Sequence, residues 1–401
     1  MPQSSRDFAI TLFGATGFTG GLCAHYLAQH LPPDTAWAIA GRSEQKLEAV
    51  SAELREAGYG CLPRIMVADA GQLATLTAVA QRSKVVISTV GPYVHYGEPL
   101  VRACVQAGTH YCDLTGEPEF VHNLIADYHV EAERQGCAIV NSCGFDSIPH
   151  DAGALFTLRA LQQAVGGEIT GPVEMIGMVT AAARFSGGTW HSALTAFGRP
   201  GPNREAAQRA RQVLNHAYPR RAGSLPMRPR RDGESRQWLM PLPTIDPMVV
   251  RRSARALTDF GPDFRYGHFA AADSLPRLLG GSAGVAALVL GAQIKPLRKR
   301  LLAMHEPGQG PSESQRAKSW FKVRFRAQGM GKEVVCEVAG GDPGYSETAK
   351  MLAETAMSLA LDPGMPHRTG VVTPVMALED RLIERLQAAD MRFTCLSAAA
   401  A

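Results

Sequence analysis

From Phe8 to Val140 the apolar residues fall into short runs of strand type, separated by stretches with helical spacing. Phe8, Ile10, Leu12 and Phe13 make the first run, and a helical pattern follows over about 18–31. TAWAIA ends a second run at Ala40, ahead of a helix over 44–57. Four further runs cover 64–67, 84–90, 110–113 and 137–141, with helices expected over 72–81, 97–107 and 117–135. Six strands with intervening helices predict a nearly complete doubly wound parallel sheet.

The pattern changes after residue 150. A strand is expected over 173–182 and a glycine-started helix over 187–198. In 320–338, Phe321, Val323 and Phe325 alternate with Lys322, Arg324 and Arg326, and Gly329-Met330-Gly331 turns the chain into KEVVCEV. That is a strand pair, with Glu333 and Glu337 placed to face the arginines. Ser346 caps a helix running to about Leu361, an amphipathic helix is expected over 374–389, and the terminal SAAAA is expected to be disordered. The predicted class is α/β, a doubly wound domain over 1–150 with a second α+β domain over 151–370 and a C-terminal helix and tail over 371–401.

The glycines at 14, 17 and 20 give the first strand–helix junction its chemistry. Such a junction turns sharply, lets backbone N–H groups approach a pyrophosphate and seats the helix close to the sheet. Gly14, Ala15, Thr16, Gly17, Phe18, Thr19 and Gly20 are therefore the expected cofactor loop, although a plain turn before a helix would show the same residues. The tip of the second strand offers Arg42 and Ser43 where an acid would hold ribose hydroxyls. A guanidinium suits a 2′-phosphate, so NADP(H) is preferred to NAD(H), the alternative being a surface arginine beside a helix cap. Asp69 is placed either to touch the adenine edge or to cap the next helix. Thr89, Gly91 and Pro92 end the fourth strand where ribose and nicotinamide cross the sheet. Asp146 or Ser147 caps a helix that Pro149 begins, and that N-terminus favours an anionic group.

Composition adds limits. The 401 residues carry a net charge of +4, too mild to suggest a nucleic-acid partner, and the eight cysteines form no CxxC pair. There is no HExxH, so neither a metal nor a disulfide framework is expected. A start without a basic, apolar leader favours the cytoplasm. Residues 278–294 hold no charge and are followed by Lys295, Arg298, Lys299 and Arg300. Seventeen residues with four glycines are short for a membrane span; a buried or dimer-facing helix is the simplest reading and an interfacial segment on a membrane the second. The proline- and arginine-rich stretch 219–236 reads as a solvated loop, or as a docking surface for an acidic carrier protein or anionic lipid headgroups.

GATGFTG, AGR, GPYVHYGEPLVRACVQAGTHYCDLTGE, CGFDSIPHDAG, GGTWHS, GDPGYSETAKM and GVVTP together resemble the saccharopine dehydrogenase-like oxidoreductases, a group that includes the mycobacterial trans-acting enoyl reductases. The resemblance implies a Rossmann domain for NADP, a second α+β domain and a link to lipid metabolism, since relatives act in glycolipid assembly or sit on lipid droplets. A serine is commoner in the family where this chain has His150. The leading expectation is an NADP-dependent oxidoreductase of a lipid-type or acyl-thioester substrate, reducing a conjugated double bond at the plasma membrane or a lipid droplet. Tyr93, Tyr96 and Ser147 are the candidate donors to an enolate oxygen, with Tyr111, Asp113 and Glu117 nearby. Two alternatives stand beside it. One is a lipid-surface scaffold without turnover; the other is an amino-acid dehydrogenase, for which Arg184 and a few loop arginines would have to bind carboxylates.

Overall fold

A computed structural model describes residues 6–182, 187–218, 220–304 and 310–400. Seven parallel strands form the first sheet: β1 (Phe8–Phe13), β2 (Trp37–Gly41), β3 (Arg64–Val67), β4 (Ser83–Ser88), β5 (His110–Asp113), β6 (Ala138–Val140) and, much later in the chain, Gly370–Val372. Their spatial order is Gly370–Val372, β6, β5, β4, β1, β2, β3. The order reverses between β1 and β4, so a crevice opens at their carboxyl ends, as expected of a doubly wound sheet. Helices cover both faces. Ile10, Leu12, Val85 and Ile87 point to one side, against Cys23, Ala24 and Leu27 of helix Phe18–His30 and Met351 and Leu352 of helix Ser346–Leu361. Phe8, Phe13 and Val86 point to the other, against Leu76, Val79, Leu100, Leu124 and Ile125.

The second sheet continues the strand count with β7 (Val173–Ala182), β8 (Arg221–Ser224), β9 (Arg230–Arg231), β10 (Trp238–Pro241), β11 (Asp263–Ala272), β12 (Trp320–Gly329), β13 (Lys332–Gly340) and, beyond β14 (Gly370–Val372), β15 (Arg392–Ala400). Its order is β15, β13, β12, β7, β11, β10, β9, with β8 also on β11. The expected β12–β13 hairpin forms in the register that pairs Arg324 with Glu337. Helix Ile148–Val165 buries Leu155, Leu158 and Leu161 against Phe321, Val323 and Phe325. Gly153 is required there, because a Cβ would come within 2.3 Å of the Phe325 ring. One apolar core thus runs from the first sheet through this helix into the second.

Four expectations are corrected. The chain does not leave the first unit at residue 150 for good: helix Ser346–Leu361 packs on helix Phe18–His30, and β14 pairs with β6. The expected helix over 374–389 is two, Pro374–Leu378 and Asp380–Ala388, broken where Glu379 takes φ +46°. SAAAA is strand as far as Ala400, on β13, because the free edge of β13 offers unpaired backbone N–H and C=O groups to an extended chain whatever its sequence. Within the arginine-rich stretch, Arg221–Ser224 and Arg230–Arg231 are strands, and Arg326 pairs with Asp232 and Glu234; Pro219 lies outside the described residues.

Candidate functional site

The first strand–helix junction has the geometry its glycines predict. Gly14 follows β1 at φ +96°, a left-handed conformation that L side chains avoid. A Cβ on Gly20 would lie 2.1 Å from the Gly14 carbonyl oxygen, so helix Phe18–His30 sits against the loop only because that atom is missing. Gly17 differs: its nearest neighbour is the Gly14 oxygen at 3.4 Å, and Thr16 and Gly17 face solvent. The helix has no side-chain cap. First-turn N–H groups at a helix start without a cap suit a pyrophosphate, and the dipole favours its charge. Ala15 is fully buried, and Phe18 and Thr19 are half-buried.

The other expected cofactor residues lie along the same strand ends. Arg42 is exposed at the tip of β2, and the Ser43 hydroxyl caps helix Glu44–Glu56 by accepting from Lys46 N at 3.4 Å. The Asp69 carboxylate accepts from Gly71 N at 2.7 Å, a turn ahead of helix Leu73–Arg82 and not a cap on it. Thr89 braces the glycine loop, its hydroxyl donating to the Gly14 carbonyl at 3.1 Å. The chain also brings in groups that the sequence did not single out. Phe18 packs edge-on to Tyr345, and the Arg316 guanidinium lies 5.5 Å from its ring centre, so the second half of the chain covers the start of this helix. No local signal ties 316 to 18.

At the end of β4 the peptide between Gly91 and Pro92 is cis, and helix Tyr93–Tyr96 follows. Glu117 fixes this turn. Its carboxylate accepts from the N–H groups of Tyr93 and Val94 at 2.9 Å each, and from Ser192 Oγ at 2.9 Å, so helix Gly187–Phe197 is held to the same point. Tyr93 is buried, with its hydroxyl donating to the Ser88 carbonyl at 3.0 Å, and burial pushes its pKa well above the ordinary tyrosine value. Ser147 is buried, with its hydroxyl on the Asp146 carbonyl at 2.5 Å. Two of the three hydroxyls named as candidate donors, those of Tyr93 and Ser147, are therefore committed to the backbone. Tyr96 is half exposed, and Tyr111 is fully buried among Val86, Leu100 and Leu124 between the sheet and its helices. Asp113, also buried, accepts from Thr115 N, Ser142 N and Asn141 Nδ2 at 2.8–3.0 Å; burial pushes it up to about 6 against the pull of those donors. Arg184 lies outside the described residues.

Beyond Ser147 a second buried group forms. His150 Nδ1 lies 2.7 Å from Asp246 Oδ1, His268 Nε2 lies 3.5 Å from Asp246 Oδ2, and the Tyr266 hydroxyl is 3.3 Å from His268 Nδ1. Burial lowers His268 to about 4, leaving it neutral. The three residues come from helix Ile148–Val165, helix Asp246–Ala256 and β11, so their spacing of 96 and 22 residues matches no linear motif.

The comparisons with known proteins agree with this geometry. Residues 10–140 match the family model of the saccharopine dehydrogenase NADP-binding domain. A Mycobacterium tuberculosis (strain H37Rv) protein provisionally named a trans-acting enoyl reductase is 36% identical, over 97% of both chains. The trans-acting enoyl reductase of Mycobacterium ulcerans is 33% identical, over 96% of this chain and 97% of its own. Among solved structures, apo saccharopine dehydrogenase (L-Glu forming) from Saccharomyces cerevisiae superposes over 97% of this chain and 99% of its own, with a TM-score of 0.54 at 12% identity, a likeness of fold. The open side of Gly17, the uncapped helix start and the exposed Arg42 fit NADP(H). The chain is thus an NADP-dependent oxidoreductase and belongs to the saccharopine dehydrogenase-like family, in its trans-acting enoyl reductase group.

Proposed function

We propose that this protein reduces a conjugated carbon–carbon double bond in a lipid-type acyl substrate, and that it works while resting on an anionic lipid surface. The observation that carries the reading is helix Leu275–Gln293. Residues 278–293 hold no charge, yet most of the described residues of the helix are exposed, and Leu279, Leu290, Ile294, Leu297 and Met304 are 41–65% exposed. Helix Lys295–Leu302 follows at once with exposed Lys295, Lys299 and Arg300. A buried helix would hide such a face; an interfacial one presents it to acyl chains, with cations beside it for phosphates. Among the described residues no helix is long and apolar enough to cross a membrane. The names of the full-length relatives support the reaction.

NADPH, when bound, supplies the hydride. Thr16–Gly20 and Arg42 would hold its phosphates, and Glu117 fixes the turn at Gly91–Val94 beside the strand ends where the substrate would have to approach. The enolate oxygen of such a reduction needs a positioned donor. Tyr96 keeps an accessible side chain for that role, whereas Tyr93 and Ser147 do not. The test is incubation with NADPH and a cell lipid extract, followed by mass spectrometry. Species heavier by two hydrogens, absent without NADPH, are the expected result. NADPH binding with no such species across the extract would instead favour a lipid-surface scaffold.

A further inference from the structure

We propose that His150, Asp246 and His268 form a binding site for one divalent transition-metal ion of the zinc class. Four observations converge on it. The three side chains come from two helices and a strand that share one core, so their positions are fixed by packing. Each is almost wholly buried, with 1–3% of the side chain exposed, and their candidate ligand atoms all lie within 4.8 Å of one another. Two nitrogens and one carboxylate oxygen are a donor set that zinc and cobalt accept, with a position left for water. The His268–Asp246 distance of 3.5 Å is long for a hydrogen bond. Tetrahedral ligands on bonds of about 2.05 Å stand about 3.4 Å apart, so this pair already has metal spacing.

The outer support of these side chains is partly in place. The Tyr266 hydroxyl at His268 Nδ1 fixes that ring with Nε2 toward the carboxylate, as outer partners do for ligating histidines. His150 Nδ1, His150 Nε2 and Asp246 Oδ1 are all buried without a hydrogen-bond partner, so this pair carries unused ligand capacity that an ion would satisfy. Among the described ion pairs Asp246 meets imidazoles only, with no lysine or arginine. The price of a metal is a small turn of the carboxylate: His150 now meets Oδ1 at 2.7 Å and His268 meets Oδ2 at 3.5 Å, so one oxygen must swing to face both nitrogens and the His150 contact must open by about 0.7 Å.

The probe is cobalt(II) added to chelator-treated full-length protein, followed by its visible d–d absorption, with zinc stoichiometry read by elemental analysis. One ion per chain with tetrahedral absorption is expected, and zinc should raise the melting temperature of the wild type. Asp246→Asn and His268→Gln should each weaken uptake about a hundredfold while circular dichroism stays native. Folded wild type that takes up no cobalt and shows no thermal shift overturns the site, leaving a buried cluster of two imidazoles and a carboxylate. Uptake unchanged in folded Asp246→Asn overturns it as well, because the ion is then held elsewhere. The wild-type titration decides the matter even if both variants fail to fold.

Discussion

Helix Phe18–His30 and residues 278–293 of helix Leu275–Gln293 share a composition: neither holds an Asp, Glu, Lys or Arg, and both are rich in glycine, alanine and leucine. They meet opposite surroundings. The first is packed on the sheet side by side with helix Ser346–Leu361, and Gly20 lets the backbone of the preceding loop approach it. The second lies on the surface, where a Cβ on Gly280, Gly281 or Gly284 would meet nothing within 4 Å. Uncharged composition therefore marks a segment that needs an apolar neighbour, and the fold alone decides whether the chain supplies it. Among the described residues of the second helix the chain does so only at the C-terminal end, where Gly291 and Ala292 are buried.

This contrast is open to direct tests, and the largest effect belongs to the buried helix. Gly20→Val forces a side chain into the Gly14 carbonyl and should cost more than about 4 kcal/mol, seen as loss of cooperative unfolding and of NADPH binding. Gly17→Val should keep the melting temperature near that of the wild type while calorimetry finds no NADPH binding, since only the ligand's space is taken. A wild-type affinity in that variant would remove the loop from the site.

On the exposed helix the expected loss is of lipid contact and not of fold. Leu279→Glu with Leu290→Glu should release the protein from anionic vesicles in flotation, with NADPH affinity intact. Raised salt should weaken wild-type attachment, each basic residue near the surface contributing about 1 kcal/mol. If the wild type does not float at low salt, the face serves a protein partner or a second copy.

Next comes the loop ahead of the buried helix. Arg42→Glu should weaken NADPH by about 1.5–3 kcal/mol, roughly ten- to a hundredfold, and leave NADH little changed. Equal losses for both would sink the 2′-phosphate role.

The helix that covers Phe18–His30 is tied down by Asp362, which accepts from Arg381 and Arg385. Burial opposes the charge there, but those two arginines hold the carboxyl well below the usual aspartate range. A depressed folded pKa contributes stability above the unfolded value, lost as pH falls through the folded one. Asp362→Asn should cost about 2 kcal/mol in urea unfolding at neutral pH, and the gap should begin to narrow near about pH 4 and close only as pH falls through the lower folded value.

The smallest effect has the opposite sign. Gly284→Ala, facing open space on the exposed helix, should stabilise by up to about 1 kcal/mol through helix propensity alone. A loss there would mean that the glycine is needed for close approach after all.

What the sequence made legible follows the same line. The first six strands, the glycine loop and the β12–β13 hairpin are local patterns, each readable within about twenty residues. The place of Arg42, Ser43 and Asp69 at strand ends follows from the topology those patterns imply. Tyr93 was misleading because an exposed-looking turn residue gives no sign that Ser88 will take its hydroxyl. Glu117 looked like one acid among several, and only the fold shows it gathering Tyr93, Val94 and Ser192. The group at His150 was invisible, since three elements far apart in sequence build it. Likewise β14, three residues long, carries too little pattern to announce which sheet it joins.

That short strand sets a timetable for synthesis. As the ribosome releases the chain, the first six strands emerge early, but one face of their sheet lacks helix Ser346–Leu361 and the β6 edge lacks its neighbour until residues 346–372 are out. For more than two hundred residues of translation the nascent sheet has an uncovered apolar face and a free edge. An isolated 1–150 fragment keeps that condition permanently, and is expected to be a client of chaperones rather than a soluble nucleotide-binding module.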